Sequence, residues 1–149
     1  MKWTKGILDP EKIRILDYRI IKGVIDTPLD FNQVEITGFS SDVSFSMSFN
    51  LNDSLVKADF QVEVITQSDD GTDAATGSFH LIFIYLVENF EQLVSVDNLN
   101  KPQLDVHPDL SNALASVTYS TARGILMTRF QGTALDEFIL PVIDPNSIL

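Results

Sequence analysis

The chain has 149 residues, of which 44% are hydrophobic, and its mean hydropathy is +0.10, so it fits one domain with a real core and is not a disordered chain. Ten Lys and Arg stand against 21 Asp and Glu, and the net charge of −11 argues against nucleic acid and anionic membranes, which need a basic face. With no cysteine, disulfides, thiolate nucleophiles and cysteine-ligated metals are excluded.

Residues 1–9 lack the apolar core of a secretory signal. The longest apolar run, 81–87, is far too short to span a membrane. A cytoplasmic, single-domain protein without membrane insertion is expected over 1–149. The first strand is expected over 13–25, with Leu16, Tyr18 and Ile20 opposite Asp17 and Arg19, and Pro28 ends it. Residues 34–39 read either as a short edge piece or as an extended loop.

Residues 42–52 carry the strongest signal. Val43, Phe45, Met47, Phe49 and Leu51 alternate with Ser44, Ser46, Ser48 and Asn50, which predicts a strand with one buried face. Asn52, Asp53 and Ser54 supply a turn. A second alternation places Val56, Ala58, Phe60, Val62 and Val64 opposite Lys57, Asp59, Gln61 and Glu63, making a hairpin. The acidic run 69–73 reads as a further turn, since its spacing fails the calcium-loop pattern. A third strand follows over about 75–88. Phe79, Leu81, Phe83, Tyr85 and Val87 form one face and Ile82, Ile84 and Leu86 the other, so both faces need cover.

Residues 91–107 read as a polar connection. Pro108 or Asp109 then opens a helix running to about Gln131, with Gly132 as its stop. The helix carries two apolar stripes. Leu110, Ala113, Leu114, Val117, Thr121 and Ile125 form one; Ala115, Tyr119, Ala122, Leu126 and Phe130 fall nearly opposite. One stripe suffices to cover a sheet, so the second is assigned to an oligomer interface, the alternative being cover by connecting loops. Residues after 135 are extended, with a last turn around Pro145.

No catalytic constellation is found. His80 and His107 have no partner at metal-ligand spacing and read as hydrogen-bonded structural histidines. Asn52-Asp53-Ser54 matches a glycosylation sequon but reads only as a turn. Carboxylate neighbours such as Asp136 and Glu137 read as solvated surface. Neither metal, cofactor nor enzymatic activity is expected. What remains is apolar surface in excess of one core, which implies a binding surface, an oligomer interface, or both.

Strands followed by a long helix and a proline-containing tail resemble the SecB export chaperone. The similarity is densest at Tyr119, Ala122-Arg123, Arg129, Gly132-Thr133, Leu140-Pro141-Val142 and Asp144, and Gly124 replaces the family's usual acidic residue. The resemblance implies an α+β fold, a four-stranded antiparallel sheet backed by one long helix. It implies a homodimer or homotetramer with helices between sheets, giving Tyr119, Ala122, Leu126 and Phe130 a helix–helix role. It also implies ATP-independent holding of unfolded polypeptides, with preproteins and SecA as partners. The family's second helix and SecA-engaging tail fall beyond Leu149, so a shortened member is expected. Client-lining residues are expected to be Phe79, Phe83, Tyr85, Ile82, Ile84 and Leu86. The alternative is a SecB-like protein dedicated to one partner, as in toxin–antitoxin relatives.

Overall fold

The computed structural model describes residues 8–69, 75–97 and 103–149. The turn expected at 69–73 lies almost wholly outside them. Four long strands form one antiparallel sheet: β1 Ile13–Asp26, β2 Ile36–Asn50, β3 Leu55–Ser68 and β4 Thr76–Val87. Their order is β1-β4-β3-β2, so β2, β3 and β4 follow one another while β1 crosses to the far side of β4. The two edges are β1 and β2. Residues 34–39 divide between a 3-10 turn over Gln33–Glu35 and the start of β2 at Ile36.

Alternation does its work in the centre of the sheet. Val56, Ala58, Phe60, Val62 and Val64 of β3 are all at most 1% exposed. The register sets Phe45 abreast of Phe60, Phe60 abreast of Leu81, and Leu81 abreast of Ile20, so an apolar row crosses all four strands on one face. Residues 94–106 are not a plain connection, because β5 Val94–Asp97 pairs antiparallel with β6 Gln103–Val106. Leu93 and Phe90 are fully buried beside this small hairpin, and Phe90 packs on Phe49 with ring centroids 5.9 Å apart.

The helix α1, Pro108–Arg129, lies on the apolar face. Pro108 occupies its first turn, the His107 Nδ1 atom accepts the Asp109 backbone N–H at 3.0 Å, and Gly132 takes φ +75° just past the end. The second stripe does not face outward as expected; it joins the first stripe's Leu110 and Leu114 in the core, and it is Ala113, Val117, Thr121 and Ile125 that are left less covered. Ala115, Tyr119, Ala122, Leu126 and Phe130 are buried within this chain, together with Leu110, Leu114 and Thr118. Tyr119 meets Phe60 edge-on at 6.1 Å and Phe130 meets Phe79 at 5.7 Å. These five side chains fill the chain's own core and cannot also face a second subunit. The reason is the tail, which adds a second set of apolar groups beside the helix. Phe138 packs against Phe39 of β2 at 5.5 Å, Leu140 is buried, and the Tyr119 hydroxyl donates to the Pro141 carbonyl at 2.6 Å. The β2 side of the sheet is thereby covered. The β1 side is not.

Candidate polypeptide-binding groove

Strand β1 does not alternate simply, because its pairing with β4 shifts between Ile15 and Asp17 and again between Ile20 and Lys22. Leu16 and Ile21 are the extra residues, both about half exposed. The shifts keep Ile13, Ile15, Tyr18 and Ile20 abreast of Val87, Tyr85, Phe83 and Leu81, on the side of the sheet that carries α1. Among the described residues no element lies over the middle of this stretch, where Ile15 is 45% and Tyr18 56% exposed.

The helix supplies the facing wall through its other stripe, Ala113, Val117, Thr121 and Ile125. Between the walls runs a groove with two hollows. One, of about 270 Å³, is lined by Ile13, Ile15, Tyr85, Ala113, Leu114 and Val117, with Leu8 and Pro10 at its end. The other, of about 430 Å³, is lined by Tyr18, Ile20, Thr121, Gly124 and Ile125, with Thr128 and Arg129 at its mouth. The Tyr18 ring stacks on Phe83 at 6.3 Å and Phe83 on Tyr85 at 6.4 Å, so an aromatic row forms the floor. Of the two tyrosine hydroxyls in that row, the Tyr85 one is bound to the Thr118 hydroxyl at 2.6 Å, and Thr121, Thr128 and Arg129 add polar groups at the second hollow. Burial pushes the Tyr85 phenol up from its ordinary value of 10.0, which the Thr118 bond partly offsets. Such a surface takes aliphatic and aromatic side chains. Beside it, the edge of β1, to which no strand among the described residues pairs, presents backbone N–H and C=O groups that an added strand can pair with.

The expected client-lining residues divide between two faces. Phe79, Phe83 and Tyr85 are buried beneath the helix at 4%, 1% and 0% exposure, so they support the groove and are not a free surface. Ile82, Ile84 and Leu86 point to the opposite side of the sheet and are half-buried. They stand abreast of Arg19, Asp17 and Arg14 on β1 and of Asp59, Lys57 and Leu55 on β3. The ion pairs Arg19–Asp17 (3.1 Å) and Arg14–Glu88 (3.0 Å) are exposed and contribute little to stability. β4 is apolar on both faces, and the six expected residues are divided between them, three beneath α1 and three on the far side of the sheet. The groove residues Ile15, Tyr18, Val117 and Ile125 escaped assignment to a site because the β1 shifts break the period and the Val117 stripe read as core.

His80 Nε2 lies 2.7 Å from the Asp59 carboxylate, and His107 caps α1, so both histidines are hydrogen-bonded parts of the structure. Among the described residues no three His, Asp or Glu side chains converge to hold a metal ion, and no helix is long and apolar enough to cross a membrane.

No protein-family model and no curated protein matches the sequence. Among solved structures, the Mycobacterium tuberculosis SecB-like chaperone Rv1957, determined with a ChAD peptide from the Rv1956 HigA1 antitoxin, matches 89% of this chain and 91% of its own length with a TM-score of 0.56. The fold is SecB-like. At 14% identity that match speaks to architecture: the four-stranded antiparallel sheet with one long helix is shared. The SecB-like structure it resembles is that of a chaperone.

Proposed function

We propose that this chain is an ATP-independent holding protein that takes an extended apolar segment of an unfolded polypeptide into the groove between β1 and α1. The observation that carries the reading is the uncovered apolar wall of β1, where Ile15 and Tyr18 stay about half exposed beside a helix stripe that leaves Val117 41% exposed. Each aliphatic side chain buried there would contribute about 1.5–3 kcal/mol, so several in succession are needed to offset the ordering of a flexible client. Backbone pairing along β1 asks for no particular sequence, which suits varied clients. The net charge of −11 keeps such a complex dispersed. A cytoplasmic setting, and delivery of preproteins to SecA as one use of the holding, belong to the same reading.

A second copy is the other polypeptide able to pair with the β1 edge, where it competes with a client for the backbone and leaves the groove beside it for client side chains. The homodimer is therefore proposed on that strand, not on the buried Tyr119 stripe, and a homotetramer would be two such dimers.

A partner-dedicated role is the second reading. It is favoured by the Mycobacterium tuberculosis SecB-like chaperone, whose structure holds a peptide from one antitoxin. The test is aggregation of a denatured client at equimolar chaperone without nucleotide. The wild type is expected to suppress it and Tyr18→Ser/Val117→Ser to lose suppression while still folding. A wild type that suppresses nothing but binds one peptide tightly selects the dedicated role, and one that does neither removes both.

A further inference from the structure

The seam between α1 and the returning tail carries a cationic pocket that shares no lining residue with the groove. Arg123 is the one Lys or Arg among the described residues that is not exposed. It makes no ion pair with any described carboxylate, although the chain carries 21 Asp and Glu. A partly desolvated guanidinium without a counter-ion is unfavourable, and an incoming anion would relieve it. Arg123 lines a hollow of about 180 Å³ together with Ser116, Tyr119, Ser120, Val142, Ile143 and Pro145. The Tyr119 hydroxyl is already spent as a donor to the Pro141 carbonyl. Neither serine hydroxyl is hydrogen-bonded among the described residues, so the free donors are the guanidinium fork and two hydroxyls. The tail contributes the aliphatic side chains of Val142, Ile143 and Pro145 to the lining, and Val142 is 88% exposed. A fork with hydroxyl donors matches a planar carboxylate, and the aliphatic side chains match a short branched alkyl group.

We propose that this pocket binds an aliphatic carboxylate, with Arg123, Ser116 and Ser120 on the carboxylate and Val142 and Ile143 against the alkyl group. The same chemistry is offered by a free branched-chain acid and by the C-terminal end of a peptide that finishes in a branched residue.

Nuclear magnetic resonance of the arginine Nε–H groups tests this directly, because the chain has only four arginines. Isovalerate and N-acetyl-leucine are expected to shift the Arg123 signal saturably, and N-acetyl-leucinamide and inorganic phosphate to leave it in place. Tighter binding of N-acetyl-leucine than of isovalerate assigns a peptide terminus; the reverse or equality assigns a free acid. Arg123→Gln should weaken acid binding about tenfold or more, read by the Val142 methyl signals. An amide or phosphate that binds as well as the acids, or acids that leave the wild-type Arg123 signal unmoved, overturns the proposal.

Discussion

Gly77 lies in β4 where a methyl group would stand 2.9 Å from Leu135 Cδ1 and 3.0 Å from the Phe130 ring. Phe130 is itself braced by Phe79 and Phe138 and cannot retreat freely. Gly77→Ala is expected to lower the unfolding free energy by about 1–3 kcal/mol. Gly124 is the opposite case, an exposed helical glycine with no atom within 4 Å of an added Cβ. Gly124→Ala should raise stability by about 0.5–1 kcal/mol. Urea unfolding checks both, and a neutral Gly77→Ala would mean that Phe130 does not sit where described. The buried tyrosines make a pH prediction. Burial raises the Tyr85 and Tyr119 phenols above 10.0, opposed in Tyr119 by the Arg123 charge. The folded state then keeps protons that the unfolded chain releases above about pH 10. This contribution is fully present below that pH and is lost as pH rises past it. Tyr85→Phe should flatten the alkaline loss while costing about 1–2 kcal/mol near neutrality, since it leaves the Thr118 hydroxyl unpaired. Unfolding midpoints measured from neutral to alkaline pH decide it; an unchanged alkaline slope would contradict the assignment.

At the level of elements, α1 begins on a side-chain cap, the His107 Nδ1 atom holding the Asp109 N–H. His107→Ala should cost about 0.5–2 kcal/mol in thermal or urea unfolding, and no loss would show that Pro108 alone starts the helix. The sheet should exchange its amides unevenly, most slowly in β3, which is paired on both sides, and faster along β1 and β2. Elements with an unbroken period were readable from sequence: the β2–β3 hairpin, two-faced β4, and a helix with its proline start and Gly132 stop. Strand β1 is legible with Tyr18 and Ile20 facing opposite to Asp17 and Arg19, but Leu16 is not, because the register shift between Ile15 and Asp17 puts it out of step and sets Ile15 on the side of Tyr18. The β5–β6 hairpin went unread because its strands are only four residues each. The two helix stripes are legible and Leu110 and Leu114 are core as expected, but the Tyr119 stripe is core as well. Seeing that needs the path of the tail, which only tertiary packing supplies.

For the whole molecule, the uneven cover of the sheet is the governing feature. The tail closes the β2 side with Phe138 and Leu140, while among the described residues nothing covers the apolar wall of β1 or pairs with its outer edge. Each chain carries −11, so any association through β1 works against repulsion and should strengthen as salt rises toward physiological strength. Light scattering is expected to give two or four times 16.6 kDa under those conditions; a 16.6 kDa particle at every salt and protein concentration would contradict the proposed oligomer. The groove was only partly foreseeable: surplus apolar surface was evident from composition, its location was not. Methyl-labelled isoleucine makes the central claim measurable, because Ile15, Ile20 and Ile125 line the groove while Ile82 and Ile84 lie on the other face of the sheet. Titrating in an unfolded client fragment should shift the first three and leave the last two unmoved. Shifts confined to Ile82 and Ile84, or none at all, would contradict capture in the β1–α1 groove.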